Sequence, residues 1–330
     1  MIISRTPFRI PIGGGGSDLP FYYTRQGGAL VTATVDKYIY IIVQPRKYYE
    51  KFFIRYMKNE LVDSVDEIQH EYVREALKLL KINQPIEITS ISDVPAGTGL
   101  GSSSSFLVGL LYALHAYKGE RVSKKTLAEE ATQIQMEILK TPAGLQDQYA
   151  AAFGSILTMQ ISKQGKVLVN PLDIKNHHLQ KLEKELVFFY TGIIHSSDEI
   201  LKDQKQEAEK DEHKIEMLTE IKQIGQEIRK ALESGNTRRF GEWMNIHWQT
   251  KRKLGNKMTN SQIDKWYDLA LQSGAIGGKI MGAGGGGFFM FYMDNNQDSF
   301  TKTMEKEGLK KVEFKFDHDG SKIIFNDSNI

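Results

Sequence analysis

Pro95-Ala96-Gly97-Thr98-Gly99-Leu100-Gly101-Ser102-Ser103-Ser104-Ser105 joins two segments of different period. Before it, Ile86, Ile88, Thr89 and Ile91 alternate as in a strand, which Asp93-Val94-Pro95 ends, because proline cannot continue the ladder. After it, Ser102–Tyr117 is apolar and reads as a helix. Glycines let backbone N–H groups turn toward a ligand without a Cβ in the way. The free N–H groups and dipole of the following helix favour an anion. Serine hydroxyls cap the helix, and they can also donate to phosphate or ligate Mg²⁺. No lysine follows the last glycine, so this is not a Walker A loop. A serine-capped buried helix is the plainer alternative, but four serines directly after three spaced glycines favour a phosphate site. The candidates are Pro95, Gly97, Gly99, Leu100, Gly101, Ser102, Ser103 and Ser104.

Two further glycine runs flank this one in the chain. Gly282-Ala283-Gly284-Gly285-Gly286-Gly287 formally satisfies G-x-G-x-x-G, yet Phe288–Tyr292 after it reads as a strand where a dinucleotide fold needs a helix. A Rossmann site is rejected. A ligand could still approach Gly284 and Gly285 closely, or the run could be a tight β-connection. Near the start, Pro7-Phe8-Arg9-Ile10-Pro11-Ile12 leads into Gly13–Gly16, Ser17 and Asp18. A carboxylate after a glycine run suits sugar hydroxyls, and Arg9 suits phosphate charge. Gly15, Gly16, Ser17 and Asp18 are candidate substrate contacts; a flexible loop is the alternative. Asp147, in Gln146-Asp147-Gln148-Tyr149, follows the helix break at Pro142. It could take or orient a hydroxyl proton, although a lone aspartate is usually a cap or a surface charge.

The rest of the chain mixes strands and helices. Ala29–Val35 and Tyr38–Val43 read as a hairpin turning at Asp36-Lys37. Asp66–Leu80 and Val122–Leu139 read as amphipathic helices, and Gly154–Ile161 and Leu186–Tyr190 as strands. A lobe boundary is expected around Ser162–Glu185, dividing 1–175 from 176–330. Asp198–Glu233 reads as one long helical stretch. Its part Lys202–His213 is nearly free of large apolar residues, which suggests a solvated helix or mobile connection, with a lid as the sharper alternative. Helices are expected at Thr237–Leu254 and Ser261–Ser273, strands at Lys279–Met281 and Phe288–Tyr292. A final hairpin, Val312–Phe316 with Lys322–Phe325, would turn at Asp317–Ser321.

Composition narrows the class. The chain has 330 residues, 40% hydrophobic and 25% charged, which fits a globular protein of about two domains. Forty-three basic against 41 acidic residues leave a formal charge of +2, giving no reason to expect nucleic acid or a membrane surface as partner. There is no cysteine, so disulfides and thiolate sites are excluded. The N-terminus lacks the apolar core of a signal peptide, and no apolar run reaches a membrane span. Cytoplasmic is the expected location.

Together these motifs resemble the GHMP kinases, the family of galactokinase, homoserine kinase, mevalonate kinase and phosphomevalonate kinase. Residues 7–18, 95–105 and 279–287 look like its three motifs in order. The details are most similar to sugar-1-kinases acting on heptose 7-phosphate: Gly13–Asp18, the serine run before Phe106, Gln146–Gly154, Tyr190-Thr191-Gly192, His247-Trp248 with Lys251, and Lys279–Phe288. The resemblance implies an α+β fold in two lobes, an S5-like N-terminal ATP-binding lobe and a ferredoxin-like C-terminal lobe, with ATP, Mg²⁺ and a small sugar phosphate between them. It implies Asp147 as catalytic carboxylate, Arg9 near the transferred phosphoryl group, Ser103 as Mg²⁺ ligand, Gly97–Ser105 around the triphosphate and Asp18 on sugar hydroxyls. The product would be heptose 1,7-bisphosphate, used for surface glycans. Three positions depart. Gln135 stands where the family often has a Mg²⁺-binding Glu, with Glu137 two residues on. Leu145 replaces a frequent Lys, and His195 a frequent Arg. Rival readings are a kinase for L-fucose, galactose or a non-sugar alcohol, and an inactive sugar sensor. Galactokinases carry Glu-His at Gly15-Gly16, which counts against galactose. Intact Ser103 and Asp147 count against the sensor, and Gln135 mildly for it.

Overall fold

The computed structural model describes residues 1–194 and 196–327. The first lobe runs β1 (Ile2–Gly13), α1 (Pro20–Gln26), β2 (Gly28–Pro45), β3 (Phe52–Arg55), β4 (Asn59–Val62), α2 (Glu71–Leu79), β5 (Ile86–Ser92), α3 (Ser102–Tyr117), α4 (Lys124–Thr132), α5 (Gln146–Phe153), β6 (Ile156–Ile161) and β7 (Val167–Pro171). The second runs α6 (Asn176–Glu185), β8 (Leu186–Tyr190), α7 (Ser197–Lys210), α8 (Glu212–Glu233), α9 (Thr237–Lys251), α10 (Ser261–Gln272), β9 (Gly277–Ile280), β10 (Phe288–Tyr292), α11 (Gln297–Lys306) and β11 (Lys310–Val312). A last strand, β12 (Lys322–Asn326), closes the described chain. The fold is α+β in two lobes.

An eight-stranded sheet carries the first lobe in the path β12-β1-β2-β5-β3-β4, with β6 on β2 and β7 on β6. The 18-residue β2 organises it. β1 pairs along one edge of β2, while β6 takes Gly28–Ala33 and β5 takes Ile39–Pro45. β1 is covered on both faces, so Phe8 through Gly13 are all buried. Ser4 and Thr6 meet α3, where a Cβ on Gly109 would fall 2.6 Å from Thr6 Oγ1, and Gly13 meets α8 at Gly225 and Ile228. The second lobe has an antiparallel sheet, β11-β8-β10-β9. One face of it joins a core continuous with the first lobe through Phe288, Met290 and Tyr292; the other forms a separate core of Val187, Phe189, Trp248, Tyr267 and Phe291.

Several expectations are corrected. Asp36-Lys37 is no hairpin turn. β2 runs straight through it, and the two residues are absorbed where pairing to β1 shifts between Pro7 and Phe8. The boundary stretch 162–185 is ordered as β7 and α6. The long helical stretch divides at Asp211, extended at φ −136°, whose side chain caps α8 at His213 N. The final hairpin does not form: β11 joins β8 in the second sheet and β12 joins β1 in the first. The last strand therefore lies outside the expected 176–330 unit, because its pairing partner is the N-terminal strand.

Candidate active site

A cavity of about 350 Å³ lies where the two halves of the chain meet. Its floor is the start of α3. Gly97, Gly99 and Gly101 all take positive φ (74°, 76° and 74°), and Gly101 at the N-cap makes no side-chain cap. A helix begun this way leaves its first-turn N–H groups facing out, an arrangement that holds anions. Gly99 admits no Cβ, which would sit 2.6 Å from the Met281 carbonyl. Ser102, Ser103 and Ser104 line the cavity. Pro95 and Leu100 do not: Leu100 is buried and its carbonyl accepts from Arg9 N at 3.0 Å, so its part is to brace the loop on β1.

Arg9 and Asp147 form the ion pair of the site. Arg9 Nε and Nη2 donate to the two Asp147 oxygens at 2.6 Å each, and Nη1 donates to Gly99 O at 2.5 Å. This forked pairing fixes both planes. Asp147 is the second residue of α5, beside the Gly101 turn, where a Cβ would lie 3.2 Å from its Oδ2. Across the cavity Asp18 is buried. Its Oδ1 accepts from Gly16 N at 2.9 Å and its Oδ2 from Gln146 N at 3.2 Å. Burial, and then the charge of Asp147, push its pKa above the usual carboxylate range. Gly144 makes room for it, since a Cβ there would meet Asp18 Oδ2 at 1.9 Å.

Three buried basic side chains stand behind this wall. Lys251, at the end of α9, lines the cavity and donates to Gly282 O at 2.5 Å. Burial and the neighbouring Arg9 bring its pKa down to about 8, against the pull of Asp18. Lys279 donates to Ile12 O at 2.9 Å, and its pKa is pushed well down by burial, Lys251 and Arg9. His247 is held neutral by burial and the two lysines.

Other expected site residues are placed differently. Ser17 is fully buried and bonds Gly14 O and Ala29 O, closing the turn rather than facing the cavity. Gly284 and Gly285 turn away against Met258, so Gly282 and Ala283 form the wall instead. Gln135 lines the cavity from a π-helical turn (Gln133–Ile138), but its Oε1 already accepts from Ser104 Oγ and Gln148 Nε2, each at 2.9 Å. Glu137 is exposed and outside the wall. Leu145 is buried in the core, and His195 lies outside the described residues.

The donors fit a polyphosphate: N–H groups at the start of α3, the Ser102 and Ser103 hydroxyls, Arg9 and Lys251, while the Ser104 hydroxyl is already given to Gln135. The fit to a divalent cation is narrower. No group of three acidic, histidine or cysteine side chains that could hold a metal ion exists among the described residues. Cavity oxygens that could face a metal include the Ser103 hydroxyl and the Asp147 and Asp198 carboxylates, beside those of a bound nucleotide.

Residues 71–155 match the GHMP kinases N terminal domain, and residues 228–305 the GHMP kinases C terminal domain. The chain belongs to the GHMP kinase family. A D-glycero-alpha-D-manno-heptose 7-phosphate kinase of Campylobacter jejuni is 29% identical over 97% of this chain and 98% of that protein. The crystal structure of a D-glycero-D-manno-heptose 1-phosphate kinase from Bacteroides thetaiotaomicron shares the fold with a TM-score of 0.82, at 24% identity, covering 99% of this chain and 100% of that one. Lactococcus lactis galactokinase, complexed with galactose, shares it with a TM-score of 0.75 at 18% identity, covering 98% and 94%. Both matched GHMP kinase segments reach the cavity, the first through Gly97, Gly99, Gly101, Ser102–Ser104 and Asp147, the second through Lys251 and Gly282. Among the described residues no helix is long and apolar enough to cross a membrane.

Proposed function

We propose that this GHMP kinase transfers the γ-phosphoryl group of ATP to the anomeric hydroxyl of D-glycero-D-manno-heptose 7-phosphate, giving the 1,7-bisphosphate. The observation that carries the reading is the Asp147 carboxylate, held by Arg9 between an uncapped helix start and the buried Asp18. The first-turn N–H groups of α3 and the serine hydroxyls bind the triphosphate. Asp18 accepts from sugar hydroxyls and sets the acceptor on the Asp147 side. Asp147 orients or takes the proton of the attacking hydroxyl while its oxygen forms the bond to γ-phosphorus and the bond to ADP breaks. Arg9 keeps Asp147 in place and adds positive charge where negative charge is shared in the transition state. Mg²⁺ bound with the nucleotide would neutralise phosphate charge, and Ser103 would supply a hydroxyl ligand to it. The heptose assignment draws on the Campylobacter relative and on the motif details.

A sugar without the second phosphate is the alternative. Among the described cavity residues the cations are Arg9 and Lys251, each already engaged, and Leu145 offers none. NMR of the product from heptose 7-phosphate and Mg-ATP, with L-fucose and galactose in parallel, tests both. A new anomeric phosphate on the heptose is the expected result. Transfer only to an unphosphorylated sugar moves the assignment, and transfer to homoserine or mevalonate but to no sugar ends it.

A further inference from the structure

The face that α7 turns inward is built from Ile200, Gln204 and Ala208, at i, i+4 and i+8. Ile200 and Ala208 join a small core with Tyr22, Leu218 and Leu254. The middle position of this otherwise apolar stripe is a glutamine. Gln204 is only 3% exposed, lines the cavity, and makes no side-chain hydrogen bond to any described residue. Opposite it, at the start of α5, Gln146 is 5% exposed, also lines the cavity, and its Nε2 is buried without a partner. The two carboxamides flank the first glycine run. A β-carbon on Gly16 would lie 3.5 Å from Gln204 Nε2, and one on Gly15 3.7 Å from Gln146 Oε1. Asp18 bonds the backbone N–H groups of both Gly16 and Gln146.

The orphaned Gln146 Nε2 costs free energy that a polar ligand recovers on binding, and the Gln204 carboxamide reaches the same cavity with no protein partner among the described residues. A phosphate offers acceptors only, so it would leave the amide oxygens of these two side chains unpaired. Two amides, each both donor and acceptor, beside an acceptor carboxylate complement a run of neutral hydroxyls, each of which also donates and accepts. We propose that Gln204 and Gln146 read the ring hydroxyls of the acceptor sugar, and that α7 is the element that sets acceptor specificity. This rests on the sugar-kinase reading of the cavity, and it adds residues to which that reading gave no part. A site that bonds a hydroxyl discriminates strongly against losing the partner, whereas apolar contacts discriminate weakly.

The test uses the full chain and its Gln204→Leu variant, which keeps the stripe apolar. Calorimetric titration with heptose 7-phosphate, L-fucose and galactose is run in the presence of a non-hydrolysable ATP analogue, alongside melting curves and steady-state kinetics. The expected result is an acceptor affinity and KM weaker by about tenfold, roughly one hydrogen bond to a buried group, with analogue affinity unchanged and the melting temperature unchanged or raised. Gln146→Leu should repeat this on the acceptor side. If Gln204→Leu melts lower, Gln204→Met serves as the second apolar variant. Equal sugar affinity in wild type and variant, with phosphoryl transfer intact, overturns this inference and leaves the kinase reading standing. Sugar binding that Gln204→Leu weakens, without transfer to any sugar, does the reverse. Absence of sugar binding to the wild type overturns both.

Discussion

The glycine runs at Gly97–Gly101 and Gly282–Gly287 have similar composition and opposite tasks. The first is followed by a helix and turns its N–H groups toward the cavity. The second is followed by β10 and supports the first from behind. A Cβ on Gly282 would come within 2.6 Å of the Gly99 backbone, and one on Gly287 within 2.2 Å of Thr98 O. Thr191 N and Oγ1 then tie the run to β8 through Gly287 O. Glycine marks close approach in both, but the next element decides what approaches: a ligand at a helix start, another stretch of backbone before a strand.

The largest test of this contrast is Asp147→Asn, beside the first run. The ion pair to Arg9 loses its charge and, on the proposed mechanism, the acceptor loses its base, so kcat should fall by about 10²–10⁴-fold with nucleotide affinity little changed. A variant with most of its kcat would remove Asp147 from the mechanism.

Next is a pair of valine substitutions. Gly101→Val places a side chain beside Arg9 and Asp147, at φ +74°, where the proposed triphosphate site meets backbone. Titration with an ATP analogue should show at least about a tenfold loss, with sugar binding nearly kept. Gly284→Val puts a Cβ 2.6 Å from Met258 O at φ +116°. It should lower the melting temperature by a few degrees, from about 1–2 kcal/mol of backbone strain, with a smaller change in nucleotide affinity. If the two variants exchanged phenotypes, the assignment of tasks would be reversed.

How far the sequence shows this depends on the range of the forces. Ser102–Tyr117 matches α3 end to end because its limits are local, glycine before it and Gly119 after its C-cap. The bidentate pair of Arg9 and Asp147 joins residues 138 apart and carries no local signal. Residue type and neighbouring glycines marked each candidate, and only the structure joins them. Asp36-Lys37 looked like a turn because turn chemistry and bulge chemistry share residues. β12 was paired with the wrong strand because a short β-run does not encode its distant neighbour. Gln204 left a trace, the interrupted period of Ile200, Gln204 and Ala208, inside a segment whose polarity suggested solvent. Gly284 and Gly285 were misplaced because a glycine fitted to backbone and one fitted to a ligand look alike in sequence.

A smaller effect comes from Lys251, the strut between the second run and the cavity. Burial lowers its pKa to about 8, so the ammonium predominates below that pH and the neutral amine above it. The KM for Mg-ATP should therefore rise above about pH 8, and Lys251→Met should raise it at neutral pH and flatten the rise. The stability effect runs the other way. Between the folded value and the unfolded one near 10.5 the unfolded chain binds more protons, so this group raises stability as pH rises through that window. Arg9 and Asp18 also face this ammonium, so the profile is compared between wild type and variant rather than read absolutely.

The smallest expected effect concerns Gln135, on the wall opposite the second run. Its amide oxygen already takes hydrogen bonds from Ser104 Oγ and Gln148 Nε2. With both lone-pair directions used, it is a poor direct metal ligand, and the π-helical turn points it at these partners rather than into open space. Gln135→Glu keeps one oxygen for both donors and offers a second, charged oxygen toward the nucleotide. Mg²⁺ binding with the triphosphate would gain a carboxylate neighbour, directly or through water. The Mg²⁺ concentration for half-maximal activity at saturating ATP should fall by about threefold, the scale of one modest extra polar contact. The gain is small because the added charge is buried and also repels phosphate. Glu137→Gln is the control. That side chain is exposed and outside the cavity wall, so its titration should overlay the wild type. A shift from Glu137→Gln with none from Gln135→Glu would mean that, with nucleotide bound, this helix turns in a register the free structure does not have.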